Sequence, residues 1–155
     1  MAKLADVYLE SNAKLAGTKF RSDPDNLGLL YAESDFYSYM KEFLRDPDTC
    51  CALWCDGDRY ISAVRIEPFE DGMLLSGLET SPEDRCRGAA GSLLKAVCET
   101  LANSGCNRLY SHIARDNKPS LAVHKRCGFL RHLGYAKCVD GSILRSMDTY
   151  CLQLK

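Results

Sequence analysis

The chain has 155 residues, of which 46% are hydrophobic and 26% charged, and its formal net charge is -1. This size predicts one domain with its own core and excludes two domains of ordinary size. The 20 lysines and arginines are scattered along the sequence, which argues against a nucleic-acid surface, and no apolar run approaches the ~20 residues of a membrane-spanning helix.

The first residues mix charged side chains into their apolar positions, so they lack the continuous apolar segment of a secretion signal. We therefore expect a cytoplasmic protein. The nine cysteines are an odd number, and their spacing is not typical of a zinc site. Cys50, Cys51 and Cys55 come closest to a ligand cluster, but we expect free thiols and no metal.

The N-terminal third predicts two helices and a short strand. Residues 2–17 carry apolar side chains at roughly helical intervals and end in glycine, which favours a helix. The sequence GLLYA, residues 28–32, is compatible with a short strand. Ser34 and Asp35 can cap a helix over residues 35–46, whose apolar side chains recur at i, i+3, i+4 and i+7.

The middle of the chain changes to the period of strands. Between residues 50 and 82, short apolar or alternating runs are broken by Asp-Gly at residues 56–57 and 71–72, which predicts three antiparallel strands in a meander. Residues 92–104 predict an amphipathic helix, and residues 107–114 predict another strand. Because strand, helix and strand form a crossover, the strands on either side of this helix are expected to be parallel.

The C-terminal part predicts one short helix and a hairpin. Pro119 favours the first turn of a helix that Gly128 ends. Residues 133–139 and 149–154 are expected to form an antiparallel hairpin around the Asp-Gly dipeptide at residues 140–141. The predicted fold class is α/β, with a mixed sheet and helices packed on it.

The sequence RCRGAAG, residues 85–91, stands at the start of the helix that follows the meander. Arg85 and Arg87 supply positive charge, and the small residues after them leave backbone N–H groups open to close approach. The helix adds unpaired N–H groups and the positive end of its dipole. Neither a Walker loop nor a dinucleotide fingerprint fits these residues, so we predict a site for a pyrophosphate.

Together with a second block, this stretch resembles the GNAT superfamily of N-acetyltransferases. The pyrophosphate loop of that family reads Q/R-x-x-G-x-G/A, and Arg85, Gly88 and Ala90 match it. The family block N-x-x-A/S-x-x-L/V-Y-x-x-x-G-F is matched at Asn117, Ser120, Val123, Gly128 and Phe129. The two blocks stand in the expected order, and the resemblance covers roughly residues 50–154.

The resemblance implies a single GNAT-like acetyltransferase domain over residues 1–155, with a mostly antiparallel sheet, a central parallel strand pair and flanking helices. It implies acetyl-CoA as the co-substrate, with its pantetheine arm on the main chain of Leu78, Glu79 and Thr80 and beside Asn117 and Ser120. The pyrophosphate would lie on the loop formed by Arg85, Cys86, Arg87, Gly88, Ala89, Ala90, Gly91 and Ser92.

The resemblance also suggests proton carriers. The family commonly places a tyrosine acid four residues before the G-F pair, where this chain has His124, which the nearby helix end is expected to keep protonated. His112 and Glu79 compete for the role of base, and a water relay stays open. Because direct transfer needs no covalent enzyme intermediate, we do not expect Cys86 or Cys127 to be nucleophiles.

These inferences predict an N-acetyltransferase that moves an acetyl group from acetyl-CoA to a primary amine of a small molecule or a protein. We expect no metal, nucleic acid or membrane as partner, and a monomer or homodimer. The alternatives are a non-catalytic GNAT-like module that binds acyl-CoA and a plain structural domain. Trp54 is expected in the core, and Tyr37, Tyr39 and Tyr60 either in the core or in an acceptor pocket.

Overall fold

A six-stranded sheet with helices on both faces organises the computed structural model, which describes residues 2–19 and 27–154. The elements are α1 (Ala2–Val7), α2 (Leu9–Lys19), α3 (Gly28–Phe43), β1 (Cys50–Asp56), β2 (Arg59–Phe69), β3 (Gly72–Thr80), a 3-10 turn (Pro82–Asp84), α4 (Ala89–Asn103), β4 (Arg108–Ala114), α5 (Lys118–Arg126), β5 (Leu130–Leu133), β6 (Ala136–Lys137), β7 (Ile143–Leu144) and β8 (Met147–Gln153).

The strand order in the sheet is β1-β2-β3-β4-β8-β5. All neighbours are antiparallel except β3 and β4, which are parallel and are joined by the crossover helix α4. The predicted meander, the parallel pair and the fold class are confirmed. Short Asp-Gly turns favour antiparallel neighbours, and a crossover helix requires parallel ones.

The N-terminal predictions need two corrections. The helix expected over residues 2–17 is divided at Tyr8 into α1 and α2, and α2 continues to Lys19. The strand expected at residues 28–32 is wrong, because these residues form the first turns of α3. Ala32 is buried on the same face as later apolar residues of α3, so the amphipathic helix simply begins earlier than residue 35.

The C-terminal hairpin is also corrected. The last strand, β8, lies between β4 and β5 and pairs with both, whereas β6 pairs only with β7 in a separate two-stranded ladder. The turn at Asp140-Gly141 closes this small ladder. The ladder is two residue pairs long, and β5 takes the place beside β8 that the sequence assigned to residues 133–139.

Two apolar clusters cover the two faces of the sheet. On one face, α4 packs Leu93, Leu94 and Val97 against strand residues that include Leu75 and Leu109. On the other face, α1 and α3 cover β1 and β2 with the buried residues Leu4, Ala5, Val7, Tyr8, Phe36, Met40 and Ala63. Burial of this apolar area supplies most of the stability of both layers.

Several aromatic residues differ from the expected core positions. Trp54 is 39% exposed, so the expectation that it lies in the core is wrong. Tyr39 is 46% exposed, whereas Tyr37 and Tyr60 are half-buried against the cluster under α1 and α3. Trp54 lies on the edge strand β1, where an outward ring has no neighbouring strand to cover it.

All nine cysteines are free thiols. Within the described ranges, no group of three or more His, Cys, Asp or Glu side chains could hold a metal ion. Burial raises the pKa of the Cys51 thiol to about 11, which keeps it neutral at ordinary pH. Among the helices described, none is long and apolar enough to cross a membrane.

Candidate active site

The parallel strands β3 and β4 separate after a short ladder. Their pairing ends where Leu75 faces Ser111, although β3 continues to Thr80 and β4 continues to Ala114. Along residues 76–80, the β4 side of the backbone has no strand partner. The gap between the two strands can therefore accept backbone hydrogen bonds from an extended ligand.

A bulge at Gly77 explains why β3 leaves its neighbour. Gly77 has φ of +59°, and the register between β2 and β3 shifts between Ala63 and Arg65. A bulge bends a strand and ends regular pairing. A Cβ atom at residue 77 would lie 2.6 Å from Nη2 of Arg65, and the hydroxyl of Tyr8 donates a 2.7 Å hydrogen bond to the Gly77 carbonyl. Glycine suits residue 77 because it adopts positive φ without strain and leaves room for the Arg65 guanidinium.

The segment between β3 and α4 is a turn with two left-handed residues, Cys86 at φ +60° and Gly88 at φ +87°. Such turns can direct successive N–H groups toward one side, where an anion binds. Gly88 is the N-cap of α4, whose first turn adds unpaired N–H groups. No heavy atom of the described residues lies within 4 Å of a Cβ at Gly88 or Gly91. The turn is therefore open to a phosphate.

The arginines of this turn are anchored to carboxylates. Nη1 of Arg85 lies 2.8 Å from Oε2 of Glu10 on α2, and its Nε donates to the Thr80 carbonyl at 3.2 Å. Nη1 of Arg87 donates to Oδ1 of Asp84 at 3.2 Å. Asp84 is buried and also binds the arginine that starts β2. These pairs fix the shape of the turn, and the Thr80 carbonyl expected to bind pantetheine already has a donor.

Glu79 faces the side of the sheet that α1 to α3 cover. Its carboxylate accepts a hydrogen bond from the Ser11 hydroxyl of α2. Burial raises the pKa of Glu79 above its ordinary value, although Ser11, Arg65 and Arg85 partly oppose this effect. A half-buried carboxylate with a raised pKa can accept a proton more readily than an exposed one. Glu79 therefore has the chemistry of a general base.

His112 has a different environment on β4. Its Nε2 lies 2.9 Å from the Lys137 carbonyl, which can only accept, so Nε2 carries the proton. Its Nδ1 lies 3.1 Å from Oγ1 of Thr149, and the ring packs edge-on against Phe69. Burial lowers the pKa of His112. With both ring nitrogens in such contacts, His112 holds the ladder of β6 and β7 against the sheet.

His124 is buried on α5 and only 1% exposed. Its Nδ1 donates to the Ser120 carbonyl at 2.8 Å, and the ring packs edge-on against Phe129. Nε2 has no hydrogen-bond partner among the described residues. Burial lowers the pKa of His124, which opposes the expected effect of the helix end on the protonated imidazole. The helix end does not compensate for the loss of water around the charged ring.

Asn117 is the N-cap of α5, where its Oδ1 accepts a 3.1 Å hydrogen bond from the backbone N–H of Ser120. This contact explains the asparagine of the second block in structural terms. The Ser120 hydroxyl lies 3.3 Å from Nδ1 of His124. The second block thus fixes the start of α5 and the orientation of the histidine ring.

The three candidate proton carriers belong to different elements. Among the described residues, no hydrogen bond joins Glu79, His112 and His124 to one another, whereas Glu79, Arg85 and the turn form one connected group. Sequence reasoning missed the contribution of α2 to this group through Glu10 and Ser11. No local pattern could reveal it, because the partners lie about 70 residues apart in the chain.

Comparison with known proteins agrees with this geometry. A family model described as the Acetyltransferase (GNAT) family matches residues 18–129. No curated protein sequence matches the chain at a significant level. The chain resembles PaiA N-acetyltransferase from Thermoplasma acidophilum in complex with coenzyme A, with 14% identity over 98% of this chain and 91% of that chain and a TM-score of 0.69.

Two further solved structures share the fold. An acetyltransferase from Bacillus subtilis in complex with CoA is 15% identical over 76% of this chain and 84% of that chain, with a TM-score of 0.60. The ribosomal-protein-S18-alanine N-acetyltransferase from Escherichia coli is 16% identical over 70% of each chain, with a TM-score of 0.56. At these identities the structural matches establish the fold.

The family model spans more than half of the chain and includes the open turn before α4 and the second block up to Phe129. The separated strands β3 and β4 lie within the same span. Family match and geometry support acetyl transfer at the level of the family. The chain is a member of the GNAT family of acetyltransferases.

Proposed function

We propose that the protein is an acetyl-CoA-dependent N-acetyltransferase that transfers the acetyl group directly to a primary amine, with residues 1–155 acting as one domain. The observation that carries this proposal is the gap between β3 and β4 beside the open turn at Cys86 to Ala89. An extended pantetheine arm with a pyrophosphate at its end complements this arrangement. Neighbours solved with CoA support the choice of co-substrate.

In this proposal the N–H groups of residues 86–91 bind the pyrophosphate. The main chain of Leu78, Glu79 and Thr80 pairs with the amides of pantetheine, and Asn117 and Ser120 lie beside the arm. The acceptor is an amine of a small molecule or a protein, and the name of the Escherichia coli neighbour gives an example of a protein acceptor. A cytoplasmic location, and action as a monomer or homodimer, belong to the same proposal.

Glu79 is the proposed base. The amine attacks the thioester carbon as its proton passes to Glu79, the C–N bond forms, and the C–S bond breaks with the electron pair leaving on sulfur. His124 would supply a proton to this thiolate only as an imidazolium, which burial disfavours. We propose that the thiolate takes its proton from solvent, because His124 is buried and only 1% exposed.

The binding half of the proposal is tested by Gly88→Asp, which places a side chain and a negative charge where the phosphate would bind. We expect calorimetry to detect no acetyl-CoA binding and the ligand-induced rise in melting temperature to disappear. Gly105→Asp is the matched control, because Gly105 also has positive φ, +83°, and open space, but lies at the far end of α4. Equal affinity in both variants would contradict the proposal.

A second candidate function is a module that binds acyl-CoA without transferring it. It is favoured by His124, which stands in place of the family tyrosine and is buried. A panel of primary amines with acetyl-CoA, followed by free-thiol release, separates the two functions. Binding without thiol release for any amine would favour the module, and release with acetylated product would favour the enzyme.

A further inference from the structure

Arg65 lies on β2 beneath the helices α1 to α3, on the same face of the sheet as Glu79. Its guanidinium carbon is 5.8 Å from the ring centroid of Tyr8 and 5.0 Å from that of Tyr39. Two aromatic rings hold the planar cation in a fixed orientation. The bulge at Gly77 leaves space for it, since Nη2 lies where a side chain would otherwise begin.

This cation lacks a carboxylate partner within the part of the chain that the structure describes. Its Nε donates a long hydrogen bond of 3.4 Å to Oγ of Ser76, and neither Nη1 nor Nη2 donates a hydrogen bond to a described residue. Glu67 is connected to Arg65 only through Ser76, whose hydroxyl donates to it at 3.4 Å. Guanidinium groups in such half-buried positions are usually paired.

A second donor on the same side is also unsatisfied. Asn12 lies one helical turn after Tyr8 on α2 and is only 4% exposed. Its Nδ2 has no hydrogen-bond partner among the described residues. Residues four apart share a helix face, so Asn12 and Tyr8 lie on the same side of this segment. The half-buried guanidinium of Arg65 is the donor that a ligand with acceptor oxygens would complete.

The position of Arg65 relative to Glu79 limits what this ligand can be. The guanidinium lies beside Gly77, two residues before Glu79 on β3, and its charge opposes the rise in the pKa of Glu79. An acceptor whose amine lies at Glu79 therefore also lies close to this cation. A second ammonium, in contrast, would meet the Arg65 cation.

We infer that the acceptor of the proposed transferase is an amine that also carries a carboxylate, with its carboxylate on Arg65 and its amine at Glu79. This inference rests on the proposed function, because Glu79 marks the reacting end only if acetyl transfer occurs there. Ser76 and the tyrosines Tyr8 and Tyr39 position the guanidinium. Glu67 lies behind Ser76, where it disfavours a ligand with additional negative charge and so favours a single carboxylate.

The test uses sets of three matched acceptors: an amino acid, its carboxamide and its decarboxylated amine. With the wild-type protein and acetyl-CoA, we expect kcat/KM at least about 10-fold higher for the amino acid, since a charge-assisted hydrogen bond pair is lost in the other two. Arg65→Lys should lower kcat/KM for the amino acid by about 10- to 100-fold through KM, and change that for the decarboxylated amine by less than about twofold.

Arg108→Lys is the matched control, because Arg108 pairs with Asp71 at the opposite end of the sheet. If Arg65→Lys fails to fold, the deaminated acid provides a second measurement on the wild-type protein. We expect it to inhibit competitively against the amino acid. Equal or better use of the decarboxylated amine would overturn this inference alone, whereas no turnover of any amine would overturn the proposed function.

Discussion

Glu79 is the residue whose replacement most directly tests the proposed chemistry. Glu79→Gln keeps the size and the hydrogen bond to Ser11 but cannot take a proton, so we expect kcat to fall by about two to four orders of magnitude. Acetyl-CoA affinity, measured by calorimetry, should stay within a few-fold of the wild-type value. Glu99→Gln, on the exposed side of α4, is the control and should leave kcat unchanged.

The pH profile gives the same test a second readout. A base acts in its deprotonated form, and burial raises the pKa of Glu79, so activity should rise with pH through a limb above the ordinary value of about 4.3. The limb should disappear in Glu79→Gln. Full kcat and an unchanged limb in that variant would instead favour a water relay.

His124 predicts a pH dependence of stability. Its folded pKa lies below the unfolded value of about 6.5, so below that pH the unfolded chain binds more protons and the free energy of unfolding falls. His124→Phe removes this contribution. Urea unfolding at about pH 7.5 and about pH 5.5 should show a smaller difference in this variant, by up to about 1.4 kcal/mol per pH unit.

The exposed His132 provides the control for that experiment. His132→Phe makes the same substitution at an exposed position and so measures the effect of the residue change itself. His112, whose pKa burial also lowers, contributes equally to all three proteins. An identical pH dependence in His124→Phe and the wild type would mean that His124 titrates alike in the folded and unfolded chain.

At the scale of elements, replacement of glycine by alanine should have opposite effects on stability in the bulge of β3 and in helix α2. Gly77→Ala forces a side chain into positive φ and against Arg65, so the free energy of unfolding should fall by about 2 kcal/mol or more. Gly17→Ala, inside α2 with nothing within 4 Å of the new Cβ in the described structure, should raise it by about 0.5 to 1 kcal/mol.

Chemical denaturation of both variants checks this prediction. A stable Gly77→Ala variant with normal acetyl-CoA binding would mean that the separation of β3 and β4 does not depend on the bulge. Gly17→Ala has a further use, because the sequence places a helix end at residue 17, whereas the structure continues α2 to Lys19. A glycine that ends a helix with positive φ would instead lose stability on replacement by alanine.

Across the whole molecule, the sequence predicted the features that depend on neighbouring residues, such as turns, helices and short strands. Asp-Gly turns and alternating runs identified the meander, and the small residues after Arg87 identified the turn before α4. The start of α3 at Gly28 was missed because GLLYA is as apolar as a strand, and only the burial of Ala32 beside Phe36 reveals the helix face. The partner of β8 was missed because register depends on the whole sheet.

In the candidate site, too, the parts formed by continuous stretches of sequence were predicted and the contacts between distant residues were not. Its turn and its second block lie in continuous stretches and were found from the sequence. Its connection to α2 through Glu10 and Ser11 depends on tertiary packing, which no spacing in the sequence encodes. The burial of His124 was missed for a related reason, because the position at a helix end can be read from the sequence but the exclusion of water cannot.

The bulge at Gly77 has a consequence for how freely this chain can vary. One backbone irregularity opens the gap beside β4 and also leaves the space that the Arg65 guanidinium occupies. A substitution at residue 77 would therefore disturb both the gap beside β4 and the position of Arg65. Such substitutions should be rare in descendants of this sequence. Substitutions on α1 to α3, away from the residues that contact Arg65, Glu79 and Arg85, leave both properties intact. Diversification is thus expected to proceed through the N-terminal helices while the strand beneath them stays constant.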